Sequence, residues 1–377
     1  MASNINGSTN TRPLDGIANW RSGMTEHEFQ NALQQAIDSF APRMPPRPSR
    51  RVRALLLSWS IDDLKVGPEV RQMERALRTY GYSTSVLQIP AQQGDDVAQQ
   101  WVANEALKLS AGLDPDDLAI LYYAGHGITE PEFNGGPCVW VSGPWSTPRG
   151  PTTARVSFSV MKAATLDAAS HQVLYLLDTC HAASGAVKGK KSLIAACGIR
   201  QLAQAPGNES FTSGVVRELE LAYKTKKYLH VASLHNRLLY QCYRKQIRET
   251  PVASEMYDDH HTPCIYLLPL GSATATGSNT TPLGARQPRG VAVALSVELS
   301  DASTQTLQRF QSWLTERSPF NPNNIRIESV KFLNFTKTTS GIIMFKLHGA
   351  VWHCLRSHSS IRFLGYSADW EDDSGVF

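Results

Sequence analysis

The stretch LAILYYAGHG, residues 118–127, joins a buried strand to the residues that follow it. Its first residues form a continuous apolar run, which is typical of a strand that is covered on both faces of a sheet. A second stretch of the same design, VLYLLDTCHAASG, starts at Val173, and its first six residues also predict a strand. We therefore expect both segments to lie in the interior of one parallel sheet.

Strands and helices alternate on both sides of these two stretches. The alternation predicts an α/β fold over residues 51–270, with a mostly parallel sheet sandwiched by helices. The predicted strands cover residues 54–59, 82–89, 118–125, 138–142, 173–178, 192–197 and 264–270, and the predicted helices cover 67–79, 95–109, 159–169, 211–223 and 233–244.

Three segments of different composition flank the predicted sheet. Residues 1–50 hold a helical pattern over 25–40, in which Thr25 and Glu28 have the spacing of a capping box, and then a proline-rich break. We interpret these residues as an N-terminal arm or pro-segment. Residues 271–290 are small, polar and rich in Gly and Pro, as in a linker. Residues 291–377 follow the order β-α-β-β-α-β, which predicts a small C-terminal α+β domain of the ferredoxin-like type.

The bulk composition narrows the class of protein. The chain has 377 residues, 42% of them hydrophobic, and a formal net charge of +4. This apolar share can build a sizeable core, whereas so small a charge argues against nucleic acid or a membrane as a partner. The first residues do not form a secretory signal, and the apolar runs are far shorter than the roughly 20 residues that cross a bilayer. We expect a cytoplasmic protein whose cysteines are free thiols.

Two side chains capable of catalysis follow the two interior strands. His126 ends the first stretch between two glycines, and Cys180 lies 54 positions later, just past the second strand. Because the carboxyl ends of parallel strands share one edge of a sheet, we expect the two residues to lie close together. A cysteine attacks as a thiolate, and a neighbouring histidine can take its proton and later protonate a leaving amine.

The two motifs together resemble those of caspases and metacaspases, and the resemblance covers residues 51–270. It implies a cysteine endopeptidase that works through a thioester, with a role in programmed cell death and protein or peptide substrates. It also implies that His126 is the general base and Cys180 the nucleophile. The oxyanion would be held by the main-chain N–H groups of Gly127 and Cys180.

The same resemblance implies a specificity pocket lined by acids. Asp178 matches an acidic pocket residue of metacaspases, so a basic residue, Arg or Lys, is expected before the scissile bond. Asp62 or Asp63 lies where a second pocket acid is expected. Asp178 could instead satisfy N–H groups of a nearby loop.

The sequence departs from the family pattern after the cysteine and around the site. HAASG has two residues more than the metacaspase motif before Ser-Gly, which puts the loop geometry in doubt. Between Gly127 and Leu177 the acids are Glu130, Glu132 and Asp167, too few for the oxygen cage that calcium needs. We expect no metal and no cofactor.

A basic segment, AVKGKK at 186–191, follows the cysteine and is predicted to be an exposed loop. Lys188, Lys190 and Lys191 are therefore candidate self-cleavage sites. Two alternatives to an endopeptidase stay open: a catalytically silent scaffold or signalling module, and an enzyme that transfers the acyl group to an amine. The C-terminal domain could bind a protein partner.

Overall fold

The computed structural model describes twelve segments of the chain, and every structural statement below refers to them. They are residues 23–40, 49–129, 138–143, 154–181, 191–198, 203–255, 265–270, 292–301, 303–316, 330–337, 341–355 and 360–367. The helices are α1 (Glu26–Phe40), α2 (Gly67–Thr79), α3 (Asp95–Ser110), α4 (Phe158–Thr165), α5 (Phe211–Lys224), α6 (Val231–Tyr243), α7 (Thr304–Glu316) and α8 (Gly349–Cys354).

The strands form four sheets. The strands are β1 (Val52–Trp59), β2 (Ser83–Ile89), β3 (Leu118–Ala124), β4 (His126–Thr129), β5 (Cys138–Val141), β6 (Arg155–Ser157), β7 (Gln172–Asp178), β8 (Lys191–Ala195), β9 (Leu229–His230), β10 (Val252–Glu255), β11 (Tyr266–Leu267), β12 (Ala292–Leu299), β13 (Val330–Lys337), β14 (Gly341–His348) and β15 (Ile361–Ser367). The largest sheet has the order β10-β8-β7-β3-β1-β2, and a small antiparallel sheet, β4-β5-β6, continues from the end of β3.

The largest sheet is mostly parallel, as the sequence predicts. The pairs β2–β1, β1–β3, β3–β7 and β7–β8 are parallel, and β10 alone among its strands runs antiparallel to its neighbour. Successive residues of a strand point to opposite faces, so an apolar run must be covered twice. Tyr122 accordingly lies in a core with residues of α2, α5 and α6, and Tyr123 in a second core with residues of α3 and α4.

The C-terminal sheet has the order β13-β14-β12-β15, and all its pairs are antiparallel. Helix α7 follows β12 and α8 follows β14, so the element order is β-α-β-β-α-β. The ferredoxin-like assignment stays a prediction. Ala232 of α6 lies in the same core as Val293 and Val351, so this unit packs against the larger one.

Helix α1 packs within the C-terminal unit. Thr25 and Glu28 form the expected capping box at its start, with Glu28 accepting from the Thr25 N–H at 2.7 Å. Met24 donates its N–H to the Glu298 carbonyl, and the Phe29 ring lies 5.8 Å from that of Phe310. The helical part of the predicted arm thus contributes to a folded core. Within the described segments, no helix is both long and apolar enough to cross a membrane.

Candidate active site

The ends of β3 and β7 lie side by side at the carboxyl edge of the largest sheet. Ala124 pairs with Asp178, and Gly125 donates its N–H to the Asp178 carbonyl at 3.2 Å. The chain leaves β3 into His126 and leaves β7 into Cys180. The structure therefore brings together the two motifs that are far apart in sequence.

Two glycines make this close approach feasible. Gly125 has a φ of 152°, and a Cβ there would lie 2.7 Å from the Tyr123 hydroxyl. A Cβ on Gly127 would lie 2.3 Å from Thr179 Oγ1 and 2.5 Å from the Cys180 carbonyl oxygen. The main chain of the histidine motif therefore contacts that of the cysteine motif directly.

His126 is held by its ring and by its main chain. Ring atom Nε2 lies 2.8 Å from Asp63 Oδ1. The Tyr123 hydroxyl donates to the His126 carbonyl at 2.8 Å and accepts from Trp59 Nε1 at 2.9 Å. The loop after β1 and the end of β3 thus position the histidine jointly.

Cys180 is half-buried, and its sulfur accepts a hydrogen bond from the Ala203 N–H at 3.2 Å. Burial raises the pKa of the Cys180 thiol, and the charge of nearby Asp178 raises it further. The hydrogen bonds of the described residues include none between the His126 ring and this sulfur. The thiol form is favoured in the free protein, so ionisation needs a base.

Asp178 lies in a buried polar cluster beneath the site. Its Oδ2 accepts from the Thr212 N–H at 3.2 Å and from Thr212 Oγ1 at 2.5 Å, while the Tyr122 hydroxyl lies 2.7 Å from the same Oγ1. Because Thr212 gives its hydroxyl proton to the carboxylate, Tyr122 is the donor to Thr212. Asp178 therefore accepts a hydrogen bond from a main-chain N–H group, as the alternative interpretation of the sequence expected. Burial, together with the charge of Glu69, raises the pKa of Asp178 to about 7.

Glu69 is the acid that the sequence interpretation missed. It lies in the first turn of α2, is 6% exposed, and accepts from Gly207 N–H at 2.8 Å and Ser210 Oγ at 2.5 Å. Its charge acts on both Asp178 and Tyr122. The available signal was an acid at the start of the first helix after β1, where a helix N-terminus favours negative charge.

Asp62 and Asp63, the two acids expected to line a pocket with Asp178, form hydrogen bonds with other residues. Asp62 Oδ2 accepts from the Val66 N–H at 2.6 Å, just before α2, and Asp63 contacts His126. Among the described residues, the acid whose charge acts on Asp178 is Glu69, and the pocket role expected for Asp62 or Asp63 stays a prediction.

The predicted self-cleavage loop needs one correction. Lys188 and Lys190 lie outside the described residues. Lys191, which the sequence placed in an exposed loop, begins β8, pairs with Val173 and is 3% exposed. Its aliphatic stem is covered by the surrounding chain, and its ammonium group donates a hydrogen bond to the Ala169 carbonyl at 3.1 Å. Lys191 is therefore not an accessible cleavage site.

Of the three acids considered for calcium, Asp167 lies in the described segments. Glu130 and Glu132 lie outside them, and Asp167 pairs with Lys162 at 3.0 Å. Among the residues that the structure describes, no group of three or more His, Cys, Asp or Glu side chains is placed to hold a metal ion.

One of three comparisons with known proteins assigns the chain to a family. No curated protein matches the chain. Among solved structures, caspase-1 from Spodoptera frugiperda is similar, with a TM-score of 0.39 and 10% identity over 56% of this chain and 89% of that one. The family model described as the caspase domain matches residues 65–269, more than half of the chain. The chain therefore belongs to the caspase domain family of cysteine peptidases.

Proposed function

We propose that this protein is an endopeptidase in which Cys180 is the nucleophile and His126 the general base and acid. One observation carries the proposal: the main chain at Gly127 packs against Cys180, with His126 held beside it by Asp63. Action in the cytoplasm, a role in programmed cell death and a protein partner for the C-terminal unit are parts of the proposal that rest on the family and the composition.

The first half-reaction forms a thioester. The S–H proton of Cys180 passes to a ring nitrogen of His126 as the sulfur bonds to the peptide carbonyl carbon. The carbonyl electrons move to oxygen, where the N–H groups of Gly127 and Cys180 would donate to the oxyanion. Collapse of this intermediate breaks the C–N bond, and the leaving amine takes the proton from His126.

The second half-reaction releases the acid. Water gives a proton to His126 while its oxygen bonds to the thioester carbonyl carbon. Collapse breaks the C–S bond, the product leaves as a carboxylic acid, and His126 returns its proton to the sulfur of Cys180. Each group ends in its initial state, so the cycle needs neither metal nor cofactor.

We also propose that the pocket selects Arg or Lys before the scissile bond. Two buried carboxylates, Asp178 and Glu69, interact through their charges, and the charge of Asp178 also acts on Cys180. Like charges at close range in a buried site are costly, and a bound guanidinium or ammonium would relieve that cost through charge-assisted hydrogen bonds.

A cleavage profile on a peptide library tests activity and specificity together. Wild-type protein should cleave after Arg and Lys, Cys180→Ala should cleave nothing, and Glu69→Gln with Asp178→Asn should lose the preference for basic residues. Ser210→Ala, which removes a hydroxyl bonded to Glu69 but no charge, is the matched control. Cleavage by Cys180→Ala at the wild-type rate would refute the assignment of the nucleophile.

A silent scaffold is the second candidate, and the geometry around Cys180 favours it in one respect. The sulfur contacts Ala203 rather than His126, and its pKa is raised, so the free protein does not present a thiolate. Catalytic hydrogen bonds often tighten only when substrate binds, so this observation fits both candidates. A thiol electrophile built on an Arg peptide separates them, because only an active site labels Cys180 faster than it labels the half-buried Cys242.

A further inference from the structure

Asp63 contacts the proposed general base from the loop between β1 and α2. Its Oδ1 lies 2.8 Å from His126 Nε2, and the two side chains are 47% and 23% exposed. The residues are 63 positions apart, so the tertiary fold creates the contact. We propose that Asp63 is a positioning residue: it orients the ring of His126 and extends the pair of Cys180 and His126 to a Cys–His–Asp relay. This inference rests on the proposed function.

The chemistry of the contact assigns the ring proton. An ionised carboxylate can only accept hydrogen bonds, so the ring atom facing Asp63 must carry hydrogen. In the neutral ring the lone pair then lies on Nδ1, which is the nitrogen left to take the proton of Cys180. When His126 becomes an imidazolium beside the Cys180 thiolate, the charge of Asp63 stabilises it.

The loop that carries Asp63 is anchored at both ends. At its start, Ser60 donates its N–H to the Ile89 carbonyl at 3.0 Å, and at its end Asp62 accepts from Val66 ahead of α2. Lys65 adopts a φ of 58°, an uncommon conformation for a residue with a side chain. Asp63 is therefore presented by a short, braced turn rather than by a free segment.

The base of the same loop also braces the histidine main chain. Trp59, the last residue of β1, donates to the Tyr123 hydroxyl, which donates to the His126 carbonyl. One end of β1 thus holds His126 through its main chain, and the loop that follows holds it through its ring. A hydrogen bond between two partly exposed side chains contributes little to stability, so this bracing is better explained by a need to orient the ring.

The first test observes the ring proton and needs no activity. In long-range ¹H–¹⁵N spectra of the full chain labelled at histidine, we expect a solvent-protected proton on His126 Nε2, assigned from its loss in His126→Ala. Asp63→Ala should abolish that protection, since the ring proton then exchanges with water, whereas Asp116→Asn, which removes an exposed carboxylate elsewhere on the chain, should keep it. Absence of the proton in wild type, or its persistence in Asp63→Ala, overturns the inference.

The second test measures turnover. Asp63→Asn should lower kcat by about 10- to 100-fold with little change in KM, because ring orientation acts on proton transfer rather than on binding. Asp63→Glu should restore part of the loss, and Asp116→Asn, which removes an exposed carboxylate elsewhere on the chain, should resemble wild type. Equal melting temperatures exclude a merely structural effect, and a kcat for Asp63→Asn equal to that of Asp116→Asn would contradict the role.

The two tests separate this inference from the proposed function. A wild-type protein that shows the protected proton but cleaves no peptide would refute the peptidase and leave the Asp63 contact standing as a structural one. A wild-type protein that cleaves peptides with no loss in Asp63→Asn would refute the relay and leave the peptidase intact.

Discussion

Gly127 is the residue on which the meeting of the two motifs depends most directly. Replacing it with Ala places a methyl group 2.3 Å from Thr179 Oγ1 and 2.5 Å from the Cys180 carbonyl oxygen, distances that force the main chains apart. We expect Gly127→Ala to cost about 1–3 kcal/mol of stability and to abolish peptide cleavage, because the proposed oxyanion donors separate.

Gly67→Ala is the matched control for that change, since the added Cβ there would meet only the flexible end of Arg71 at 3.4 Å. Denaturant melts and peptide turnover of both variants provide the comparison. Full activity of Gly127→Ala would show that the close approach is irrelevant to the chemistry.

Ionisation of the buried Asp178 lowers the stability of the folded protein, and the size of this effect depends on pH. Its folded pKa of about 7 exceeds the ordinary value of roughly 3.9, so the folded state holds the proton more tightly than the unfolded state. Stability is therefore lost as the pH rises from about 4 to 7. At about 1.4 kcal/mol for each pKa unit, the cost above pH 7 is at most about 4 kcal/mol.

Asp178→Asn should relieve this cost, and we expect it to be more stable than wild type by roughly 1–3 kcal/mol at pH 8, with the advantage gone near pH 4. Urea melts across this range measure it, with Asp116→Asn as a control for removal of an exposed carboxylate. An advantage that is constant with pH would mean that ionisation of Asp178 is not its source.

Between helices, a buried ion pair joins α5 to α6. Arg237 Nε donates to Glu218 Oε2, Gln241 donates to Oε1, and both charged residues are about 5–6% exposed. Removing one partner leaves the other charge buried without compensation, so Glu218→Ala should cost about 3–5 kcal/mol.

The double variant Glu218→Leu with Arg237→Leu should recover much of that loss, because both charges leave the interior together. Chemical denaturation of the single and double variants completes the comparison. A double variant as unstable as the sum of its single variants would show that the pair is not coupled.

Across the full chain, α1 connects the N-terminal region to the C-terminal unit. Phe29, which is fully buried, packs with Phe310, Val293 and Leu347. Truncation to Ala removes a large buried ring, so Phe29→Ala should cost about 3–5 kcal/mol. Hydrogen exchange should accelerate in β12 and β14 but not in β3.

The exposed Gln35 of the same helix provides the control, and Gln35→Ala should leave exchange in β12 unchanged. Equal acceleration in β3 and β12 would indicate that the two units unfold together. The predicted pro-segment would then be less separable from the rest of the chain than the local packing of α1 indicates.

The strands and the motif pair are encoded locally. Residues 118–124 and 173–177 are apolar without interruption because both faces are covered, and strand length and flanking residues are visible in the sequence itself. The positions of the two motifs after such strands, together with the rule that parallel strands share a carboxyl edge, were enough to predict that the motifs lie side by side. The capping box of α1 could be predicted from two residues for the same reason.

The partners of polar side chains depended on tertiary structure. Nothing in the order of residues distinguishes Asp63, which contacts His126, from Asp62, which accepts from the Val66 N–H. The charge of Glu69 acts on Asp178 only because α2 packs beside the segment before α5. Lys191 looked exposed because its neighbours are polar, yet pairing with Val173 buries it. The local pattern of an apolar run specifies that a segment is buried. The partner of a loop carboxylate such as Asp63 is instead decided by a contact across 63 residues, which forms only when the chain is folded.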